Sequence, residues 1–385
     1  MTTTDSKRGR IALMVGHCAG MVDLVALPVW VGTLVAHYHF DPQQAGMLAS
    51  LFLVGAVLAS VVLASRFDRL NGRMVGTLGF GLAALGFGFA SSVQDFATLA
   101  VLHALCGMAS GAALSATHGT IARSGNPHRL FAIVGMALAV FGILFMGATP
   151  PLVARLGGPV LFQVFAGVMV VAAVAAVFAF PVPDVLRTPV QTGGSRERIS
   201  ATVWCGIVGI ACMGLVQAMT FSFLERVGSD RGFGAAAVTG VLIALGIVNL
   251  VPPALAALLQ KRVAARSVLL GGAAVQALLV AVIMLSSQFA PYAAAASVFA
   301  AVMIFTHTFA FGLLAQLDRS GRALAATPAM LMTGAAIGPV LGGTLVKSFG
   351  YGSLAVAAVA IAALALLCFS RLPGRGADAR VHTPA

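Results

Sequence analysis

Twelve apolar stretches follow one another along the chain, at roughly 11–36, 43–65, 74–92, 96–121, 130–152, 159–180, 201–224, 236–259, 267–287, 291–316, 324–346 and 352–370. Nearly every charge falls in the gaps between them. Each stretch has about 19–26 residues, which is what a helix rising 1.5 Å per residue needs to cross about 30 Å of hydrocarbon. A helix of a soluble core is shorter and keeps a polar face. In lipid only helices and closed barrels satisfy their own backbone, and continuous apolar runs exclude the alternating strands of a barrel. The expected fold class is an all-α membrane protein with twelve transmembrane helices.

The residues are 59% hydrophobic and 9% charged. A net charge of +12 invites a nucleic-acid reading, but its distribution opposes one. With the N-terminus in the cytoplasm, 19 of the 23 Lys and Arg residues fall on inner segments. Only Arg155, Arg226, Arg231 and Lys347 fall on outer loops. The positive-inside rule then sets both termini in the cytoplasm, and the basic balance reads as topology with some attraction to anionic lipid. The first stretch is too long for a signal-peptide apolar region and contains Asp23, so it reads as a retained helix. Cys18, Cys106, Cys205, Cys212 and Cys368 all lie inside expected helices, where thiols act as small buried hydrophobes.

The chain repeats itself at an offset of 193 residues: Arg69 and Arg73 recur as Arg262 and Arg266, and Leu152, Val153 and Gly157 recur as Leu345, Val346 and Gly350. Arg123-Ser124-Gly125 recurs, shifted by three, as Arg319-Ser320-Gly321. Two pseudo-symmetric six-helix bundles follow, at 1–180 and 201–385, the second with a short cytoplasmic tail. The polar segment 181–200, with Pro, Gly and charge, reads as a cytoplasmic linker. Secondary transporters are commonly built from such halves, with the substrate site between them near the midplane. Gly16/Gly20, Gly107/Gly111 and Gly334/Gly338/Gly342, each at spacing four, are expected to let helices approach closely. Pro28, Pro150-Pro151, Pro252-Pro253 and Pro339 are expected to bend their spans.

With these features the chain resembles the major facilitator superfamily over essentially its whole length. The loop after the second helix, Ala64-Ser65-Arg66-Phe67-Asp68-Arg69-Leu70-Asn71-Gly72-Arg73, is similar to the family pattern Gly-xxx-Asp-Arg-x-Gly-Arg-Arg. Asp68, Arg69, Gly72 and Arg73 match, while Ala64 replaces the first Gly, one residue is inserted before Gly72, and Met74 replaces the last Arg. The resemblance implies a latch between the two halves on the cytoplasmic side. On helix 4, His103-xxx-Gly107-xxx-Gly111 is similar to the family's Arg-xxx-Gly-xxx-Gly, with His in place of the Arg implicated in proton coupling. Helix 11 carries Gly334-xxx-Gly338-Pro339-xx-Gly342-Gly343, similar to an antiporter pattern that the family places on helix 5. This points toward the drug:proton antiporter branch, as does Asp23 followed by Leu27-Pro28.

Ionisable residues deep in the spans are few: His17 and Asp23 on helix 1, His103 and His118 on helix 4, and His307 on helix 10. The resemblance makes helices 1, 4, 7 and 10 the cavity-lining set, which is where all five lie. Asp23 is the only mid-membrane acid. An ionised carboxylate there costs at least about 2.5–3.5 kcal/mol, so its charge depends on what reaches it, which suits a proton carrier. Trp30 shares its helix face and is expected to bound the same cavity. His103, Cys106, Ser110 and Thr117 fall within an arc of about 60° on helix 4 and are expected to face the interior. His103 and His307 are candidates to sense or share the proton. Thr306, beside His307, is a candidate cavity residue. Gln217 lies one residue from the counterpart of Asp23 at the 193-residue offset and is a candidate cavity residue of the second half. Glu225 with Arg226 reads as an outer ion pair or external gate. His17 and His118 lie nearer the cytoplasmic side and read as solvated or core residues.

Spacings such as His17-xxx-Met21 and His103-xx-Cys106 raise a soft-metal transporter, but no tight cluster of His, Cys and Met stands out, and no metal or other cofactor is expected. No nucleotide-binding glycine loop and no nucleophile with its base appear, so neither ATP-driven transport nor an enzyme is expected. The reading is a proton-coupled secondary transporter of the cell membrane (the inner membrane, if bacterial), working as a monomer by alternating access on a small-molecule substrate. Efflux of a small hydrophobic or weakly cationic compound comes first. Proton-linked uptake of a small organic anion is the alternative, and a transport-inactive receptor with the same fold comes further behind.

Overall fold

The computed structural model describes residues 2–64, 71–182, 200–260, 262–317 and 327–373. The chain divides into two compact units, Met1–Ser195 and Arg196–Ala385. Among the described residues the only β-type pairing is an isolated bridge between Thr3 and Val182. The first unit holds α1 (Lys7–Gly20), α2 (Val22–His37), α3 (Pro42–Ala64), α4 (Gly72–Ala90), α5 (Phe96–Ala122), α6 (Pro127–Leu156) and α7 (Pro159–Ala179). The second holds α8 (Ala201–Ser222), α9 (Leu224–Asp230), α10 (Ala235–Val248), α11 (Val251–Leu259), α12 (Ala265–Leu285), α13 (Phe289–Leu317), α14 (Thr327–Phe349) and α15 (Gly352–Ser370).

Helix starts follow local capping chemistry. Ser6, Asn71, Asp95, Asn126 and Ser200 each accept a bond from a backbone N–H of the first turn that follows. The Thr98 N–H bond holds the exposed Asp95 carboxyl below the usual carboxylate range. Helix ends repeat between the units. Gly157 closes α6 with φ 91° and Gly350 closes α14 with φ 76°, the left-handed backbone in which a side chain is strained. Their N–H groups bond Val153 O and Val346 O at 2.8 and 2.9 Å. The arginine repeat has a geometric meaning too. Arg73 Nη2 donates to Phe180 O at the end of α7, and Arg266 Nη2 donates to Ser370 O at the end of α15. In each unit a guanidinium at the start of the third span neutralises the carbonyl end of the last helix.

Eleven spans, among the described residues, are long and apolar enough to cross a membrane. The stretch expected at 324–346 forms the 23-residue helix α14. Three expected spans are broken. The first splits at Met21, with φ −107° and ψ 21°, beside a glycine pressed against Leu114 of α5. The eighth splits between α10 and α11 because Pro252 and Pro253 supply no N–H to the preceding turn. The seventh also splits, at Phe223, with φ −108° and ψ 5°.

Packing inside each unit is set by the small residues. A methyl group added at Gly107 would lie 2.0 Å from Phe52 O, and one at Gly111 would lie 2.4 Å from Ala56 Cα, so α5 and α3 cross backbone to backbone. Gly334, Gly338 and Gly342 bring α14 onto α8 in the same way, with added methyls 2.2 Å from Ala211 O and 2.7 Å from Met219 N at the first two. Gly16 and Gly20 seat α1 on Thr117 and Leu114 of α5. Gly111→Val is expected to lower the thermal unfolding midpoint of purified protein through a cost of at least about 1–3 kcal/mol. Gly135→Ala, at a helical site with nothing within 4 Å, is expected to leave stability unchanged or raise it by up to about 1 kcal/mol. Equal effects at the two sites would contradict the assignment of close crossings.

Candidate functional site

The first span breaks near its middle, and Asp23 stands in the first turn after the break. It is 8% exposed. Its carboxylate lies at the N-terminal, positive end of α2, beside the first backbone N–H groups of that helix. No other Asp or Glu occurs on α1 to α7. A broken helix with its N–H groups turned on a charged site is a recurrent device of membrane transport proteins.

Seven residues further along α2, Trp30 is wholly buried. Its ring packs against Phe165 of α7, Phe52 of α3 and Phe87 of α4, with centroids 4.7, 5.2 and 6.1 Å apart. Its Nε1 donates to Nε2 of His103 on α5 at 3.2 Å. His103 is also wholly buried, and its Nδ1 lies 2.6 Å from Leu99 O. An indole N–H only donates and a carbonyl only accepts, so this imidazole is neutral with its hydrogen on Nδ1. Trp30 and His103 thus join α2 to α5 inside a dry aromatic core.

The rest of the helix 4 stripe sits in helix contacts. Cys106 Sγ reaches Ala83 O of α4 at 3.7 Å. Ser110 is wholly buried, and its Oγ has no partner among the described residues. His17 and His118, which the sequence left without a role, face each other with Nδ1 and Nε2 2.9 Å apart. Residues 101 apart in the chain gave no local signal of this pairing. Beside α1, an open apolar groove of about 570 Å³ runs along α6 past Met14, Met136, Val140 and Leu144, with Arg129 at one end.

In the second unit, Gln217 Oε1 accepts from Gln276 Nε2 of α12 at 3.2 Å, and the same Nε2 lies 3.2 Å from Met213 O. Gln276 is 2% exposed and sits on a helix outside the cavity-lining set that the resemblance implies. Thr306 packs against Gly272 and bonds Val302 O. His307 is partly exposed, donates from Nδ1 to Met303 O at 2.9 Å and lies beside Phe311. Arg226 pairs with Asp230 at 2.6 Å rather than with Glu225, whose carboxylate accepts from Ser229 Oγ. Glu225 stands two residues after the Phe223 break, as Asp23 stands two residues after Met21, but near the end of its span rather than its middle.

Of the expected latch, Gly72 begins α4 under the Phe180 ring, and Arg73 caps α7 within its own unit. Asp68 and Arg69 lie outside the described residues, as does most of the expected linker. No group of three or more His, Cys, Asp or Glu able to hold a metal occurs among the described residues.

Residues 12–318 match the Major Facilitator Superfamily. The chain belongs to that superfamily. Membership makes it a multi-pass membrane transporter of a small molecule rather than an enzyme. The fold is similar to that of the nucleoside transporter NupG, with a TM-score of 0.74 and 14% identity over 94% of this chain and 98% of that one. It is equally similar to a bacterial homolog of the human lysosomal transporter Spinster in its inward-facing, unoccupied form, with a TM-score of 0.74 and 15% identity over 95% and 98% of the two chains. No curated protein sequence matches the chain.

The buried indole–imidazole bond has a measurable consequence in this transporter. Trp30→Phe leaves the His103 acceptor without its donor and is expected to cost about 1–3 kcal/mol in unfolding free energy. Combining it with His103→Leu is expected to cost less than the sum of the single changes, because both partners of the bond are then gone. Strict additivity in the cycle would remove the bond from the account.

Proposed function

We propose that the protein is a proton-coupled antiporter that exports a small hydrophobic or weakly cationic compound by alternating access, with Asp23 as the proton carrier. It acts as a monomer of twelve spans with both termini in the cytoplasm. Two six-helix halves, 1–180 and 201–385, rock about a central site, and 181–200 joins them. The observation that carries the reading is the position of Asp23, the sole acid of α1 to α7, at a helix break in mid-span. Its carboxylate is stabilised by the first-turn N–H groups when ionised, and the hydrocarbon around it favours the neutral acid. The balance between the two states therefore changes with the access of water or of a cationic substrate. One proton descending 100 mV supplies about 2.3 kcal/mol, enough to hold roughly a fifty-fold gradient of a neutral substrate.

His103 senses the carrier through Trp30, which rides on the same helix as Asp23. His307 shares the proton from the second half, where Gln217 and Thr306 line the route. Cys106 and Ser110 line it in the first half. Asp68, Arg69, Gly72 and Arg73 close the cytoplasmic side. The apolar groove beside α6 supports a hydrophobic substrate. The guanidinium of Arg129 at its end favours the second reading, proton-linked uptake of a small organic anion. The kinship in fold with NupG keeps nucleosides among the compounds to be screened.

A thermal-shift screen of purified protein identifies the substrate class, since a ligand that binds the folded state raises the unfolding midpoint. Stabilisation by lipophilic amines is the expected outcome, and stabilisation by carboxylates alone would move the assignment to uptake. With the ligand found, Asp23→Asn in liposomes is expected to abolish accumulation driven by a pH gradient while substrate–substrate exchange persists. Undiminished gradient-driven transport by that variant would remove Asp23 from the mechanism.

A further inference from the structure

His17 is 6% exposed at the last turn of α1, and His118 is partly exposed on α5. They meet because Gly16 lets α1 settle against Thr117, where a methyl would be only 3.1 Å from the hydroxyl. The ring centroids are 5.1 Å apart, and Nδ1 of His17 lies 2.9 Å from Nε2 of His118. Phe131 of α6 packs edge-on near the His118 ring, with centroids 5.6 Å apart.

This pair differs chemically from Trp30–His103. There both imidazole nitrogens face groups of fixed polarity, so an added proton sets one donor against another. In His17–His118 each partner is able to donate or accept. The neutral pair has one N–H between the rings. A proton added to an outer nitrogen leaves that bridge in place, as a charge-assisted N–H···N bond. A second proton sets N–H against N–H and breaks it. We propose that His17 and His118 form a one-proton site, and that it relays protons between the cytoplasmic side and Asp23. A proton taken up at His118 Nδ1 or His17 Nε2 is passed on when the bridging hydrogen crosses and the opposite outer nitrogen releases its own. The net result is one proton moved and one bridge reversed.

The surroundings suit such a site. Asp23 follows His17 by six residues, about 9 Å of helical rise, across the Met21 break. Apart from Asp23, the titratable or charged groups on the elements packed against α1 lie toward helix ends or hold other partners. Arg73 of α4 bonds Phe180 O, and Arg123 after α5 bonds Gly119 O. His37 stands at the far end of α2, and His128, Arg129 and Arg155 stand in the end turns of α6. His103, farther along α5, is held by Trp30 and Leu99. α7 carries none, and on α1 itself Lys7, Arg8 and Arg10 stand in the first turn, with Cys18 next to His17. No carboxylate bonds either imidazole among the described residues, so the pair's charge depends on its own proton.

The destination of the relay rests on the Asp23 reading, whereas the proton count does not. Potentiometric titration of the purified full-length protein between about pH 8 and pH 5 reads the count, since imidazoles titrate there. The double variant His17→Asn, His118→Gln is expected to take up one proton fewer per molecule than the wild type. A deficit of two, or none, overturns the proposal. Should the double variant fail to fold, ¹⁵N-histidine NMR of the wild type decides. Coupling across the N–H···N bond is expected before and after the titration, and its loss at the first protonation refutes the shared site. A one-proton deficit together with gradient-driven transport by Asp23→Asn keeps the proton site and overturns the relay to Asp23. A failed count together with transport lost in Asp23→Asn overturns the pair and leaves the carrier standing.

Discussion

Leucine gains nothing by leaving lipid tails for another leucine, so helices in a membrane are held together mainly by how closely their backbones approach. In this chain that closeness comes from glycine at spacing four. Gly107 and Gly111 put α5 onto the backbone of α3, Gly334 and Gly338 put α14 onto α8, and Gly16 and Gly20 put α1 onto α5. All but the Gly16 contact leave no room for a methyl group. The chemistry of the first unit depends on the same crossings. With α5 held against α1, His118 reaches His17, and within the same tight bundle His103 reaches Trp30 of α2.

Polar groups within the spans turn mostly to local partners. Thr33, Thr117, Thr120, Ser222, Thr306 and Thr344 each donate to the carbonyl four residues back, which satisfies the hydroxyl without recruiting another helix. Bonds that cross between helices are therefore conspicuous: Trp30 to His103, His17 with His118, and Gln276 to Gln217. They do different work. The indole–imidazole bond admits one polarity only and ties His103 to the helix that carries Asp23. The imidazole pair admits either polarity, which is the property a proton site needs. The hydroxyl of Ser110, buried without a partner among the described residues, is the unsatisfied group nearest to both on α5.

The two units share local features of their helix ends and breaks. Gly157 and Gly350 close equivalent helices with the same left-handed turn, and Arg73 and Arg266 cap equivalent helix ends. The first helix of each half breaks at a residue with nearly the same backbone angles and puts an acid two residues later. The halves part at that point. Asp23 lies at mid-span at the N-terminal end of α2, while Glu225 lies near the span end beside Ser229, close to the Arg226–Asp230 pair. A common scaffold thus holds one acid at membrane depth and the other near the end of its span.

The apolar runs by themselves determined a helical membrane protein, because their length and continuity leave no other way to satisfy the backbone in lipid. The internal repeat, the glycine spacing and the isolation of Asp23 were also written in the order of residues. Helix 1 was legible as a span but not as two helices, since nothing at Met21 marks a break in the way Pro252-Pro253 marks one in helix 8. Trp30 lay on the helical face of Asp23, and only packing decided that its ring is enclosed by Phe52, Phe87 and Phe165. The partners of His103, His17 and Gln217 stand 73, 101 and 59 residues away, distances over which helical periodicity carries no information. Periodicity assigns a side chain to a face of its own helix. Which face of which neighbour it meets is fixed by the crossings between helices, and those exist only in the folded bundle.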